Sequence, residues 1–149
     1  MYKRILVPLD GSKRAERILP HVKAIAQANA AKVVLLQVIN PFVPVIDPHA
    51  FMQERSREEL ERIIREAESY LETLRNDFAA ASIDAEFLVA QGPVAESIIS
   101  TAQNMDVDMI AMASHGRSGL SRVFYGSVAA AVLQRIDRPL LLIRARDKG

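Results

Sequence analysis

Five short apolar runs punctuate the chain: Ile5-Leu6-Val7, Val33-Val34-Leu35-Leu36, Phe87-Leu88-Val89, Met109-Ile110-Ala111-Met112-Ala113 and Leu140-Leu141-Leu142-Ile143. Their length and near-continuous apolarity predict five strands buried on both faces. Longer amphipathic stretches separate them. Ala15, Ile18, Leu19, Val22, Ile25 and Ala26 recur at helical spacing behind Ser12, which is placed to cap the first free amides. Leu60, Ile63, Ile64, Ala67, Leu71, Leu74 and Phe78 form the stripe of a long second helix. Its other face sets Glu58 against Arg62 and Glu61 against Arg65 at i,i+4, a solvated face in this reading. Gly92-Pro93 breaks the chain before a short third helix carrying Val94, Ile98, Ile99 and Ala102, and a last helix starts near Ser127.

This alternation predicts one α/β domain over residues 1–149, a doubly wound parallel sheet covered by helices on both faces. Residues 40–53 fit poorly. Pro41, Pro44 and Pro48 stand among Phe42, Val43, Val45, Ile46, Phe51 and Met52, which predicts a long loop, either a lid or partner surface or a cover for the sheet edge.

Composition narrows the function classes. Half of the residues are apolar and a quarter charged, as in ordinary globular proteins, and the length suffices for a core without metal or disulfide staples. Cysteine is absent, which excludes a disulfide framework, a thiolate zinc site and a cysteine nucleophile. The net charge of +1 leaves no broad field for nucleic acid or an acidic membrane surface. Met1-Tyr2-Lys3-Arg4 leads straight into a short strand, and no apolar stretch approaches the ~20 residues of a membrane span, so a cytoplasmic protein is expected.

In open α/β sheets, ligands bind outside the carboxyl ends of the strands where strand order reverses. Three loops fall there: Pro8-Leu9-Asp10-Gly11-Ser12, Val38-Ile39-Asn40, and Ser114-His115-Gly116-Arg117-Ser118-Gly119. Asp10 suits a ribose hydroxyl or a magnesium ion, or equally the cap of the first helix. Gly116, Gly119 and Gly126 are half of the six glycines, and Gly126-Ser127 opens the last helix, where unpaired amides and the dipole favour phosphate. Turns and caps draw on the same residues. Neither a P-loop nor G-x-G-x-x-G is present, strand three ends in Ala90-Gln91 rather than a phosphate-accepting aspartate, and His21, His49 and His115 lack metal-ligand spacing.

Met112-Ala113-Ser114-His115-Gly116, followed after nine residues by Gly126-Ser127-Val128, resembles the G-x2-G-x9-G-[ST] signature of the universal stress protein family. The resemblance runs from Ile5-Leu6-Val7-Pro8-Leu9-Asp10-Gly11-Ser12 to Arg138-Pro139-Leu140-Leu141-Leu142-Ile143. It implies an adenine nucleotide alpha hydrolase-like sheet of order 3-2-1-4-5 that binds ATP, AMP or ADP with magnesium or manganese. By the same resemblance, Val38 would meet adenine, and Pro8, Leu9 and Asp10 would line adenine and ribose with Asp10 near the metal. Gly116, Gly126, Ser127 and Val128 would hold the phosphates, flanked by His115 and Arg117, and Met112 and Ala113 would also belong to the nucleotide site. Ala113 replaces the first signature glycine: it fits at negative φ, and at positive φ costs about 1 kcal/mol.

The last strand, Leu-rich and uncharged over residues 140–143, would lie at an edge and pair with its copy in a two-fold homodimer, with the charged tail after Ile143 as the alternative shield. The function expected is a non-enzymatic nucleotide sensor in stress response, acting on an unidentified protein partner. Two alternatives stand beside it: a slow ATPase or self-phosphorylating protein using Ser118, Ser121 or Ser127, and a dimeric interaction module with no nucleotide.

Overall fold

The predicted strands assemble in a computed structural model, which describes residues 1–47, 50–116 and 126–146. Strand β1 (Arg4–Leu9) pairs in parallel with β2 (Lys32–Ile39) on one side and β6 (Met109–Gly116) on the other; β5 (Ala85–Gln91) and β7 (Leu140–Arg146) complete the order β5-β2-β1-β6-β7. Two further strands lie outside this sheet, so the arrangement is the expected 3-2-1-4-5 order with those two skipped in the count.

Side-chain alternation divides the core between two helical layers. Ile5, Val7, Val33, Leu35, Met109 and Ala111 pack with α1 (Leu19–Asn29) and α2 (Arg57–Ala80), whose Val22, Leu71 and Phe78 are buried on that face. Leu6, Val34, Leu36, Ile110 and Met112 face α3 (Val94–Asn104) and α4 (Ser127–Arg135) through Ile98, Ala102, Ala129 and Val132. Burial of each large apolar side chain stabilises the fold by roughly 1.5–3 kcal/mol against leaving it exposed. Outside the helical layers, Asp108 ties the start of β1 to the start of β6. Its Oδ2 accepts the Lys3 and Arg4 N–H groups at 2.7 and 2.8 Å, and these backbone bonds, Lys3 first, hold its carboxyl below the usual carboxylate range. No helix among the described residues is long and apolar enough to cross a membrane.

Three expectations change in detail. Ser12 is not the N-cap of α1: a 3₁₀ turn, Ala15–Ile18, with Arg14 at its N-cap position precedes that helix, and the Ser12 Oγ accepts the Ala15 N–H at 3.1 Å. Pro20, near the start of α1, has no N–H to continue an α-helical ladder back through Glu16, so the tighter turn takes over. On α2, Arg62 reaches forward to Glu66 at 3.0 Å rather than back to Glu58, and Glu61 and Arg65 form no pair; exposed pairs of this kind differ by only tenths of a kcal/mol.

The third change concerns residues 40–53, expected as a loop. They form an antiparallel hairpin, β3 (Phe42–Asp47) and β4 (Ala50–Glu54), with Phe42 opposite Glu54 and Pro44 opposite Met52. Its aromatic and β-branched residues favour extended backbone, and a two-stranded ribbon has outer edges where proline interrupts nothing. Arg55 fastens the base, giving its N–H to the Pro41 carbonyl at 2.8 Å and its Nε–H to the Asn40 carbonyl at 3.0 Å. His49 lies outside the described residues.

Candidate functional site

The chain leaves β1 toward β2 on one side and later returns through β6 and β7 on the other, so the order reverses between the carboxyl ends of β1 and β6. A cavity of about 140 Å³ opens there. Pro8, Leu9 and Asp10 enter from the end of β1, Met112 and Ala113 from β6, Val94 and Ile98 from α3, and Gly126, Ser127 and Val128 from the start of α4.

The β1 side is a closed polar turn. Asp10 Oδ1 accepts the Ser12 N–H at 2.9 Å and the Ser12 hydroxyl at 2.5 Å, while Oδ2 accepts from Arg14 at 3.1 Å. Asp10 therefore organises the turn instead of capping a helix, and Gly11 takes the positive φ of 85° that this turn requires. Behind it, Tyr70 on α2 donates its hydroxyl to Glu16 at 3.0 Å. Burial first, then that bond and the charges of Glu16 and Asp10, raise the Tyr70 phenol above its ordinary pKa.

The α4 side is open. Its first helical hydrogen bond runs from the Ala130 N–H to the Gly126 carbonyl at 3.0 Å, which leaves the amides of Ser127, Val128 and Ala129 without a helical acceptor. No side chain among the described residues caps this end, and no acidic residue occupies its first turn. Gly126 has φ 81° and ψ 153°, a region that costs other residues roughly 1–3 kcal/mol. In β6, next in sequence to the lining residue Ala113, Ser114 is 1% exposed, and its Oγ has no hydrogen-bond partner among the described residues. Uncapped amides and an aligned dipole suit an anion.

The sequence matches the model of the universal stress protein family over residues 1–144. The chain belongs to that family. The universal stress protein MJ0577 of Methanocaldococcus jannaschii is 28% identical over 158 residues, covering 99% of this chain and 98% of the relative. Its solved structure superposes with a TM-score of 0.78 at 29% identity, over 99% of both chains. A universal stress protein of Thermus aquaticus is 31% identical over 147 residues, 97% of this chain and 100% of its own. The universal stress protein of Archaeoglobus fulgidus solved in complex with dAMP shares the fold, with a TM-score of 0.69 at 20% identity over 95% of this chain and 98% of its own.

On this universal stress protein fold, most of the residues singled out from sequence come together. Pro8, Leu9, Asp10, Met112, Ala113, Gly126, Ser127 and Val128 all line the cavity. Ala113, standing for the first signature glycine, is not among the non-glycine residues with positive φ, which are Ala30, Ser82 and Asp106, so its methyl group is accommodated in the strand. His115 and Gly116 end β6, paired in register with Ala145 and Arg146. Val38 lies at the end of β2 and packs toward the α3 and α4 layer, but takes no part in the lining. Arg117, with Ser118, Gly119 and Ser121, lies outside the described residues.

Arg14, Ala15, Val94, Ile98 and Ala129 also line the cavity and were not foreseen. The sequence pattern puts Val94 and Ile98 on a core stripe, and the same apolar face serves both purposes. Arg14 sits in a basic Lys13-Arg14 pair, which reads as surface; its spacing of four from Asp10 was the one available signal.

Proposed function

We propose that this chain binds an adenine nucleotide, ATP or its lower phosphates, at the cavity between β1 and α4, and acts as a ligand-dependent regulator in the cytoplasm. The observation that carries the reading is the start of α4: three consecutive amides without helical acceptors, no acid in the first turn and, among the described residues, no capping side chain, opening onto a cavity. The apolar walls from Pro8, Leu9, Val94, Ile98 and Met112 offer a face for a purine. The A. fulgidus relative, of the same fold, was solved with dAMP, a ligand of this chemical class.

Asp10 is the one acidic side chain among the described lining residues, and its oxygens already hold Ser12 and Arg14. No group of three or more acidic or histidine ligands occurs among the described residues. These residues suit magnesium or manganese only as an ion that arrives with the phosphates and takes Asp10 as one ligand. The described lining residues include no histidine and no carboxylate besides Asp10, and the reading proposed is binding rather than turnover.

The proposed regulator is a two-fold homodimer. β7 ends the sheet with Leu140, Leu141, Leu142 and Ile143 only partly buried, an edge suited to antiparallel pairing with its copy. Sedimentation equilibrium at micromolar concentration is expected to give twice the 16.5 kDa chain mass, and a monomer there would remove the dimer from the proposal.

Denaturing the purified protein and chromatographing what it releases tests the nucleotide reading. An adenine nucleotide near one per chain is the expected result. No released nucleotide, together with no heat on titrating ATP, ADP or AMP with magnesium, would overturn it.

A further inference from the structure

We propose that Arg14 reads the charge of the ligand, making this site discriminate among adenine nucleotides by the number of phosphates they carry; the inference rests on the nucleotide reading above. Asp10 and Arg14 are the only charged side chains among the described lining residues, and they neutralise each other across 3.1 Å. From the described lining residues, a polyanion entering the cavity therefore meets no net side-chain charge unless the pair separates.

The two partners differ in freedom to move. Asp10 is held on its other oxygen by both the N–H and the hydroxyl of Ser12, within a turn whose glycine is already in a left-handed conformation. Arg14 has a long flexible stem and a side chain only 15% exposed, whereas that of Asp10 is 56% exposed. Its guanidinium offers five N–H donors, and the one hydrogen bond it makes among the described residues goes to Asp10. An ion pair with a half-exposed carboxylate is weakly held, while phosphate oxygens accept a guanidinium in bidentate fashion. Arg14 faces the same cavity as the uncapped amides of Ser127 and Val128. Phosphates seated on those amides would draw Arg14 away from Asp10; a nucleoside without phosphate would leave the pair intact and gain nothing from it.

Calorimetry of the full chain with adenosine, AMP, ADP and ATP, repeated on Arg14→Gln and Arg14→Lys, tests this. Arg14→Gln is expected to weaken ATP at least tenfold, AMP less, and adenosine under twofold. Arg14→Lys, which keeps the charge but loses the fork, should fall between Arg14→Gln and the parent. Equal weakening of all four ligands would assign Arg14 a structural role and overturn the proposal, as would unchanged ATP affinity in either folded variant. A parent protein that binds none of the four overturns this inference together with the nucleotide reading. A parent that binds, with variants that do not discriminate, overturns this inference alone.

Discussion

Helices α2 and α4 both begin at a loop, yet their first turns are finished in opposite ways. The α2 start is closed: Ser56 accepts the Glu59 N–H at 3.1 Å, and Glu58 and Glu59 set negative charge against the dipole. The α4 start has Gly126, which has no side chain to offer, no acid in its first turn, and a cavity where α2 has its cap. A capped end spends its amides on stability, whereas an uncapped end keeps them available for a ligand. In the proposed reading the same element serves architecture at one end of the fold and recognition at another, and the choice rests on one or two residues at each.

The sharpest way to break the contrast is to finish α4 as α2 is finished. Gly126→Asp places a carboxylate against the open amides and is expected to weaken ATP at least 100-fold, about 2.7 kcal/mol, by calorimetry. Retained affinity would separate the ligand from the α4 start. The converse change, Ser56→Ala, removes a cap far from the cavity. Chemical denaturation should show a loss of about 1 kcal/mol in stability, with ATP affinity unchanged within twofold.

A smaller effect is expected at Tyr70→Phe, which removes the hydroxyl that ties α2 to the turn behind Asp10. At neutral pH it should cost about 1 kcal/mol or less. Its pH dependence carries the sharper test. The folded protein holds the Tyr70 proton more tightly than the unfolded chain, so this stabilisation is complete below about pH 10 and fades as pH rises toward the higher folded pKa. Denaturation midpoints of parent and variant should therefore converge above pH 10; a constant gap would show that the hydroxyl is not the source.

The strands and helices were legible because burial imposes periodicity, and residues such as Val33, Leu35 and Leu71 had no other place to go. The hairpin was not, because Pro41 and Pro44 read as breakers although an isolated ribbon tolerates them. Within the site, Gly126 and Ser127 could be seen beforehand, since glycine directly before a helix is a local signal. Arg14 and Ile98 could not, because they reach the cavity from separate elements and each resembles something commoner: a surface cation and a core aliphatic. Ala113 shows the opposite limit. A motif departure that sequence alone left conditional on φ is settled by its place within β6.

Amide chemical shifts of the ¹⁵N-labelled chain during titration with ATP and magnesium test the central claim most directly. The α4 start as anion site predicts large, saturable shifts at Gly126, Ser127, Val128 and Ala129, with Arg57, Glu58 and Glu59 at the capped start of α2 unmoved. Binding that shifts neither group, or the two starts alike, would contradict it.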